Sequence, residues 1–353
     1  MQTAILKCYP GSQFHFGKLG LDENMSLDDT SDYIHSDTLF SAIINEHNKL
    51  FDNKSKTDAF VEAFRNQDIK ISSAFYALNV MDKPTIYFFP RPVTATFLVK
   101  TEDVKLQIKK IKKIKFVSAK ILKDGISPDK WLNSQECTVI QDYFLCAKDE
   151  LNDLIVNQID NIKIFSYNHE TKVRVHTPVK GDTLYNQANI QIVDNRIEGL
   201  SVDFFFLFEI KNKEKYEKTF KKIIHSLTYS GIGGQRSTGT GIFEEAIFLD
   251  NDFDLQSSIN MNISLTIPEN GKLSNFKYYD LITRGGRVVG KNEENSKISM
   301  RLNRIKMVKE GGIITKSEEG KCVNLEPKEL KKPFVRNGIA FSIGIHNNFD
   351  YNE

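Results

Sequence analysis

Between residues 213 and 241 a basic amphipathic segment runs into a loop dominated by glycine, and this pairing restricts what can be built around it. Tyr216, Phe220, Ile223, Ile224 and Leu227 form one apolar stripe at helical spacing, and Lys213, Lys215, Lys218, Lys221 and Lys222 cover the other faces. Such a helix needs a sheet or core under the stripe. Gly231 stops it, because glycine takes the backbone conformations of a helix C-terminus without a Cβ penalty. Five glycines stand among residues 231–241, and residues 242–249 then read as a strand. Loops that cradle mononucleotides follow a strand and open a helix, so that phosphate meets the positive helix end. Here the loop leaves the negative end, and neither GxxxxGK[ST] nor GxGxxG is present. What remains is a side-chain-poor stretch with Gln235, Arg236, Ser237, Thr238 and Thr240. Its backbone N–H groups and one guanidinium suit the backbone of a polyanion; a loop that merely needs tight turns is the alternative.

The 353 residues suffice for two domains. With 40% apolar and 27% charged residues the chain has an ordinary globular composition, and the lack of a long apolar run predicts neither a membrane span nor a signal peptide. Cys8, Cys137, Cys146 and Cys322 are scattered without a CxxC pair, which fits a reduced cytoplasmic setting and no zinc site. Net charge is only +2, yet eight lysines and no acid lie between Lys105 and Lys123. That run fits a solvated face, the commoner use, or an RNA-facing patch.

Along the chain, residues 3–8 read as a strand, and residues 18–33 as a long polar loop. Residues 36–51 read as a helix capped by Ser36 or Asp37, with Leu39, Phe40, Ile43 and His47 inward; His47 reads as a core histidine. A second helix is expected over 57–66, then strands over 71–78 and 85–89. Trp131 is a candidate anchor in the weakly patterned stretch 127–156. Residues 162–185 resemble a hairpin-bearing loop carrying Arg174, His169 and His176. Residues 202–210 form a continuous apolar run, a strand buried on both sides. With an insertion at about 94–160 set aside, residues 1–250 approximate a βαββαβ order, and 251–353 read as a smaller, strand-rich second domain. The fold class is α+β.

No GxSxG elbow, no HExxH spacing and no cysteine in a motif context is present, and Asp28, Asp29 and Asp32 read as an exposed acidic loop rather than a cation site. Metal-free RNA cleavage needs only a placed histidine, and His15 and His35 are candidates. Stacking on bases or holding phosphate without chemistry is the commoner use of such a residue. RNA binding is better supported: Arg236 follows a glycine pair, and Arg284 and Arg287 flank another, each placing a guanidinium where phosphate can approach.

At these residues the chain resembles the RAMP superfamily of CRISPR systems. The likeness is to the type III-A (Csm complex) subunit that holds the 5′ repeat-derived tag of the guide RNA. It is carried by Phe14-His15-Phe16-Gly17, by the run Ile34-His35-Ser36-Asp37-Thr38-Leu39-Phe40, by the loop at 231–241 and by Thr283-Arg284-Gly285-Gly286 with residues 332–338. Family members often carry Lys where this chain has Gln235. The resemblance implies two ferredoxin-like (RRM-like) domains, with the insertion forming a thumb-like hairpin. It also implies a non-catalytic, antiviral-defence RNA-binding role without cofactor or metal. The crRNA 5′ tag would lie on His15, His35, Ser36, Arg174, Gly231, Gly233, Gly234, Gln235, Arg236, Ser237, Gly239, Gly241, Arg284 and Arg287. The implied partners are the guide RNA, the large polymerase-type subunit and a backbone RAMP subunit, with no membrane. A RAMP endoribonuclease using His15 or His35, and a nucleotide-binding enzyme using the glycine loop, are the competing expectations.

Overall fold

The computed structural model describes residues 1–18, 28–99, 104–174, 183–250, 253, 259–271, 273–291, 297–315, 317–326 and 334–351. Strand β1 (Gln2–Leu6) is buried throughout, and the short β2 (Gln13–Phe14) follows. Helix α1 (Ser36–Phe51) buries the face expected from its spacing. His47 stacks on Phe60 with ring centroids 4.6 Å apart and bonds the Thr57 hydroxyl, a core histidine as expected. The helix start differs from expectation: His35 holds the cap position with no side-chain cap bond, and Ser36 and Asp37 lie inside the first turn. Their side chains have distant partners, described below. Helix α2 (Lys54–Arg65) begins earlier than its apolar pattern, because the Asn53 side chain accepts from the Lys56 N–H.

The expected strand over 71–78 is two strands, β3 (Ile69–Ile71) and β4 (Phe75–Asn79). At the break the Ser72 hydroxyl accepts from the Leu207 N–H at 2.8 Å, so a side chain completes the ladder where the backbone swings away. Then come β5 (Ile86–Pro90), α3 (Val104–Lys113), β6 (Phe116–Ser118), α4 (Ala119–Asp124), β7 (Cys137–Ile140), β8 (Phe144–Ala147) and α5 (Asp153–Asn157). Strands β9 (Phe165–Arg174) and β10 (Thr183–Ile192) pair along their full length, and β10 pairs with β2 at its base. This long hairpin is the one expected over residues 162–185; His176, Gly181 and Asp182 lie outside the described residues. Strand β11 (Ser201–Ile210), helix α6 (Lys213–Ser230) and β12 (Ala246–Leu249) complete the first 250 residues. Phe204 to Phe208 are fully buried, as their unbroken apolar run requires.

The main sheet runs β12-β1-β11-β4-β5-β6-β8-β7, with β3 also on β11. Its first four strands alternate with α1 and α6 as βαββαβ, each antiparallel to its neighbours. The second and third strands of this unit are β4 and β11, so β5, read beside β4 as part of the unit, belongs to the connection between them. Within 94–160, strands β6, β8 and β7 extend the edge of the same sheet beyond β5. Trp131 is fully buried there, its indole N–H donating to the Ile126 carbonyl.

After residue 258 the described residues contain strands and one short 3₁₀ turn but no α-helix. The strands are β13 (Ile259–Asn262), β14 (Phe276–Tyr278), β15 (Leu281–Arg284), β16 (Arg287–Lys291), β17 (Lys297–Arg301), β18 (Ile305–Val308), β19 (Ile313–Ile314), β20 (Val323–Asn324), β21 (Val335–Arg336) and β22 (Ser342–Ile345). Four of them form a sheet in the order β14-β19-β13-β22, and the rest pair as β15-β18, β16-β17 and β20-β21. Ile259, Met261, Ile263, Ile343 and Ile345 join the same apolar core as the main sheet. The Ser73 N–H donates to the Ile263 carbonyl at 2.9 Å, stitching the two sheets at the β3–β4 break.

Candidate nucleic-acid interface

Helix α6 presents the residues its stripe predicts. Phe220, Ile223, Ile224 and Leu227 are buried, and Asn212 caps the first turn through the Lys215 N–H. The glycine loop then folds back on itself and on the segment after β2. Within the loop, Gly231 N–H donates to the Leu227 carbonyl and Ile232 N–H to the Gly241 carbonyl. Across to the neighbouring segment, Gly234 N–H donates to the His15 carbonyl and Gly241 N–H to the Gln13 carbonyl. The Thr240 hydroxyl donates to the Gly234 carbonyl at 2.9 Å. Gly233 (φ +102°) shows why this base must be glycine, since a Cβ there would lie 2.5 Å from the His15 carbonyl oxygen. The base of the loop is therefore set by close backbone packing. Its apex differs: Arg236, Ser237, Thr238 and Gly239 are exposed, and a Cβ on Gly239 would meet nothing. Gln235 enters the apex in the left-handed region (φ 58°), where a side chain costs about 1–2 kcal/mol. The result is a braced frame presenting one guanidinium, two hydroxyls and glycine to solvent, an arrangement able to hold a polyanion.

The His35-Ser36-Asp37-Thr38 run is used differently. Arg284 donates to Asp37 through Nε and Nη2, both at 2.9 Å, and through Nη2 to the Thr38 hydroxyl at 3.0 Å. Arg336 also donates to Asp37, and to the Gly285 carbonyl at 2.9 Å. The Ser36 hydroxyl accepts from the Leu265 N–H at 3.0 Å. His35 Nδ1 lies 2.9 Å from Glu310, which also accepts from the Tyr33 hydroxyl at 2.9 Å and from Ser73. Burial alone would raise both carboxyls. For Asp37 the two guanidiniums outweigh it and hold the group well below the usual carboxylate range. For Glu310 the His35 ring, with the Ser73 hydroxyl, brings it down to about 2. Together these bonds clamp the start of α1 to the C-terminal strands.

Residues 255–345 match the sequence family described as the CRISPR Csm4 C-terminal domain. A curated relative, the "CRISPR system Cms protein Csm4" of Methanocaldococcus jannaschii, is 29% identical over 322 residues, covering 82% of this chain and 80% of its own. A chain of the crystal structure of the Csm3-Csm4 subcomplex of the type III-A CRISPR-Cas interference complex superposes with a TM-score of 0.65 at 22% identity, covering 98% of this chain and 100% of that one. A chain of the Csm1-Csm4 cassette crystallised with cA4 superposes with a TM-score of 0.55 at 16% identity, with 98% of each covered. Over residues 255–345 the chain resembles the Csm4 C-terminal domain, and over most of its length it is similar to a Csm4 protein.

The residues expected at the RNA surface divide in two. The loop residues Gly231, Gly233, Gly234, Gln235, Arg236, Ser237, Gly239 and Gly241 form one feature with its apex in solvent. His15, His35, Ser36 and Arg284 are corrected: all four are buried. His15 Nδ1 lies 2.7 Å from the Ala188 carbonyl, and the other three are spent on the clamp. Buried polar groups bonded within the protein offer little surface to a ligand. Arg174 ends β9 and Arg287 begins β16; their side chains lie outside the described part. Sequence reasoning missed Tyr229, 80% exposed in the last turn of α6 beside the loop. An aromatic residue off the apolar stripe was the available signal. It also missed Glu310 and Arg336, for which no local pattern exists. Among the described residues no group of three or more His, Cys, Asp or Glu converges as a metal site, and no helix is long and apolar enough to cross a membrane.

Proposed function

We propose that this chain is a non-catalytic RNA-binding subunit of a type III-A CRISPR effector, holding the 5′ tag of the guide RNA on the glycine-loop apex. It joins a Csm1-type large subunit to a Csm3-type backbone subunit. The observation that carries the RNA contact is the loop itself: a backbone braced on Gln13 and His15 that leaves Arg236, Ser237 and Gly239 exposed. Tyr229 stands at the helix end beside it and offers a base a ring to stack on. The partner assignment is supported by the Csm3-Csm4 and Csm1-Csm4 assemblies in which chains of this fold occur. The competing ribonuclease loses support from the burial of His15 and His35, since a general acid or base must reach the proton it moves.

Arg236→Glu is the direct test. Guide RNA retained by the purified complex should fall at least tenfold. The remaining binding should show a slope of log affinity against log salt smaller by about 0.7 for each single-strand phosphate released. Retention at the wild-type level removes the loop from the interface. Incubation of the chain with repeat RNA in EDTA should leave the RNA intact; cleavage lost in His35→Ala would establish the ribonuclease instead.

A further inference from the structure

A polar cleft of about 330 Å³ opens between the strand ends at β5 and β6 of the main sheet and the β15–β18 pair, with Lys18 on its rim. Arg91, Lys115 and Lys309 line it, each brought in by a different element: the end of β5, the start of β6 and the turn after β18. Backbone bonds fix all three: Arg91 N–H to the Lys115 carbonyl, Lys115 N–H to the Tyr143 carbonyl and Lys309 N–H to the Asp280 carbonyl, at 2.8, 2.9 and 2.9 Å. Among the described residues none of the three cations forms an ion pair. The Arg91 guanidinium donates from Nε to the Ile114 carbonyl at 2.9 Å, while its Nη1 is buried without a partner.

Three carboxylates, Glu310, Asp32 and Asp280, share the cleft and offset part of this charge. Glu310 is saturated by His35, Tyr33 and Ser73. Asp32 accepts from the Tyr143 hydroxyl, and Lys18, also at the rim, pairs with Asp29 at 3.0 Å. Asp280 is exposed and, through space, favours the charged forms of Arg91 and Lys115. Three cations around one opening still repel one another: partial desolvation, then Arg91 and Lys309, hold the Lys115 ammonium below its ordinary value against the opposing pull of Asp32 and Asp280. An arrangement that costs stability in the free protein is repaid when an anion enters. On the wall beside the cations stand Tyr143, with its hydroxyl committed to Asp32, and Tyr167 of β9, 47% exposed and set edge-on against Phe165. A planar aromatic face beside a phosphate-sized positive site is the pairing that single-stranded nucleic acid requires.

We propose that this cleft binds one nucleotide unit, its phosphate on Lys115, Lys309 and Arg91 and its base against Tyr167. It rests on the RNA-binding reading above for its natural ligand, a nucleotide of the strand held by the loop. The Gly234 N–H bond to His15 anchors the loop to one end of the 15–18 segment, and Lys18 at the other end is on the cleft rim, at most ~10 Å of extended chain away. A free mononucleotide carries the same phosphate and base, so both sources are tested.

The full chain is titrated with a labelled single-stranded oligoribonucleotide and separately with AMP, adenosine and inorganic phosphate. The double variant Lys115→Gln/Lys309→Gln should weaken RNA binding about tenfold and lower the salt slope by about 0.7, one single-strand phosphate. Tyr167→Ala should weaken it about tenfold with the slope unchanged, because stacking moves no counterions. AMP displacing the RNA would identify a site sufficient for the free nucleotide; dependence on both variants without AMP binding would identify one that needs the strand. If neither variant changes affinity or slope while Arg236→Glu does, the cleft proposal falls and the loop assignment stands. If the cleft variants act and Arg236→Glu does not, the loop assignment falls instead. Thermal melts serve as the folding control, since neither lysine side chain forms an ion pair among the described residues.

Discussion

The start of α1 and the glycine loop look alike as sequence. Both are short, polar, rich in hydroxyls and close to arginine, and both were expected to contact RNA. In the fold one is a buried clamp and the other a braced, open apex. The difference lies in what reaches them. Asp37 is met by Arg284 and Arg336, 247 and 299 residues away, and Glu310 by His35 at a separation of 275. Among the described residues nothing comparable reaches Arg236, which remains exposed above a base held by backbone bonds. A polar motif therefore announces that it needs partners, not whether those partners belong to the same chain.

The comparison breaks most visibly at Asp37. Asp37→Ala leaves two guanidiniums, 8% and 11% exposed, without their carboxylate, and should cost about 3–5 kcal/mol in urea unfolding. A loss under about 1 kcal/mol would mean that the clamp does not tie the C-terminal strands to α1. Next is Gly233→Ala, where the left-handed backbone and a Cβ 2.5 Å from the His15 carbonyl act together; about 2–3 kcal/mol should be lost. Gly239→Ala carries only the backbone cost, about 1 kcal/mol, because its Cβ meets nothing. Equal losses for the two would show that loop base and apex are not distinct.

Acid titration sharpens the same contrast. The folded value of Glu310, about 2, lies below its ordinary 4.5, so its contribution is complete above pH 4.5 and is lost as pH falls toward 2. Asp37, shifted in the same direction, adds to that loss. Glu310→Gln should flatten stability against pH across this window in chemical unfolding series; an unchanged profile would mean that Glu310 is not ionised against His35. The smallest effect on stability is expected for Arg236→Glu, within about 0.5 kcal/mol, although its effect on guide retention is the largest.

Much of the N-terminal architecture was legible because its signals are local. The α1 stripe with its core histidine, the β11 run, the α6 stripe and the stop at Gly231 follow from periodicity and backbone freedom within a few residues. The errors share one cause. A serine hydroxyl that patches the β11 ladder split one strand into β3 and β4, and an asparagine cap advanced α2 beyond its apolar pattern. The lysine-rich run illustrates both sides: most of it is the solvated surface of α3, yet Lys115, one residue before β6, turns into the cleft.

By itself, then, the sequence determined the α+β class, the βαββαβ order around β11 and α6, and a glycine loop that leaves the negative end of its helix, because each depends on side-chain period and φ preference over one or two turns of chain. Only the tertiary structure decided which polar residues are free. That depends on whether a countercharge from a distant strand arrives within hydrogen-bond distance, and neither spacing nor composition encodes it. Asp37 received two guanidiniums and became part of the core. Among the described residues Arg236 received none and remained exposed.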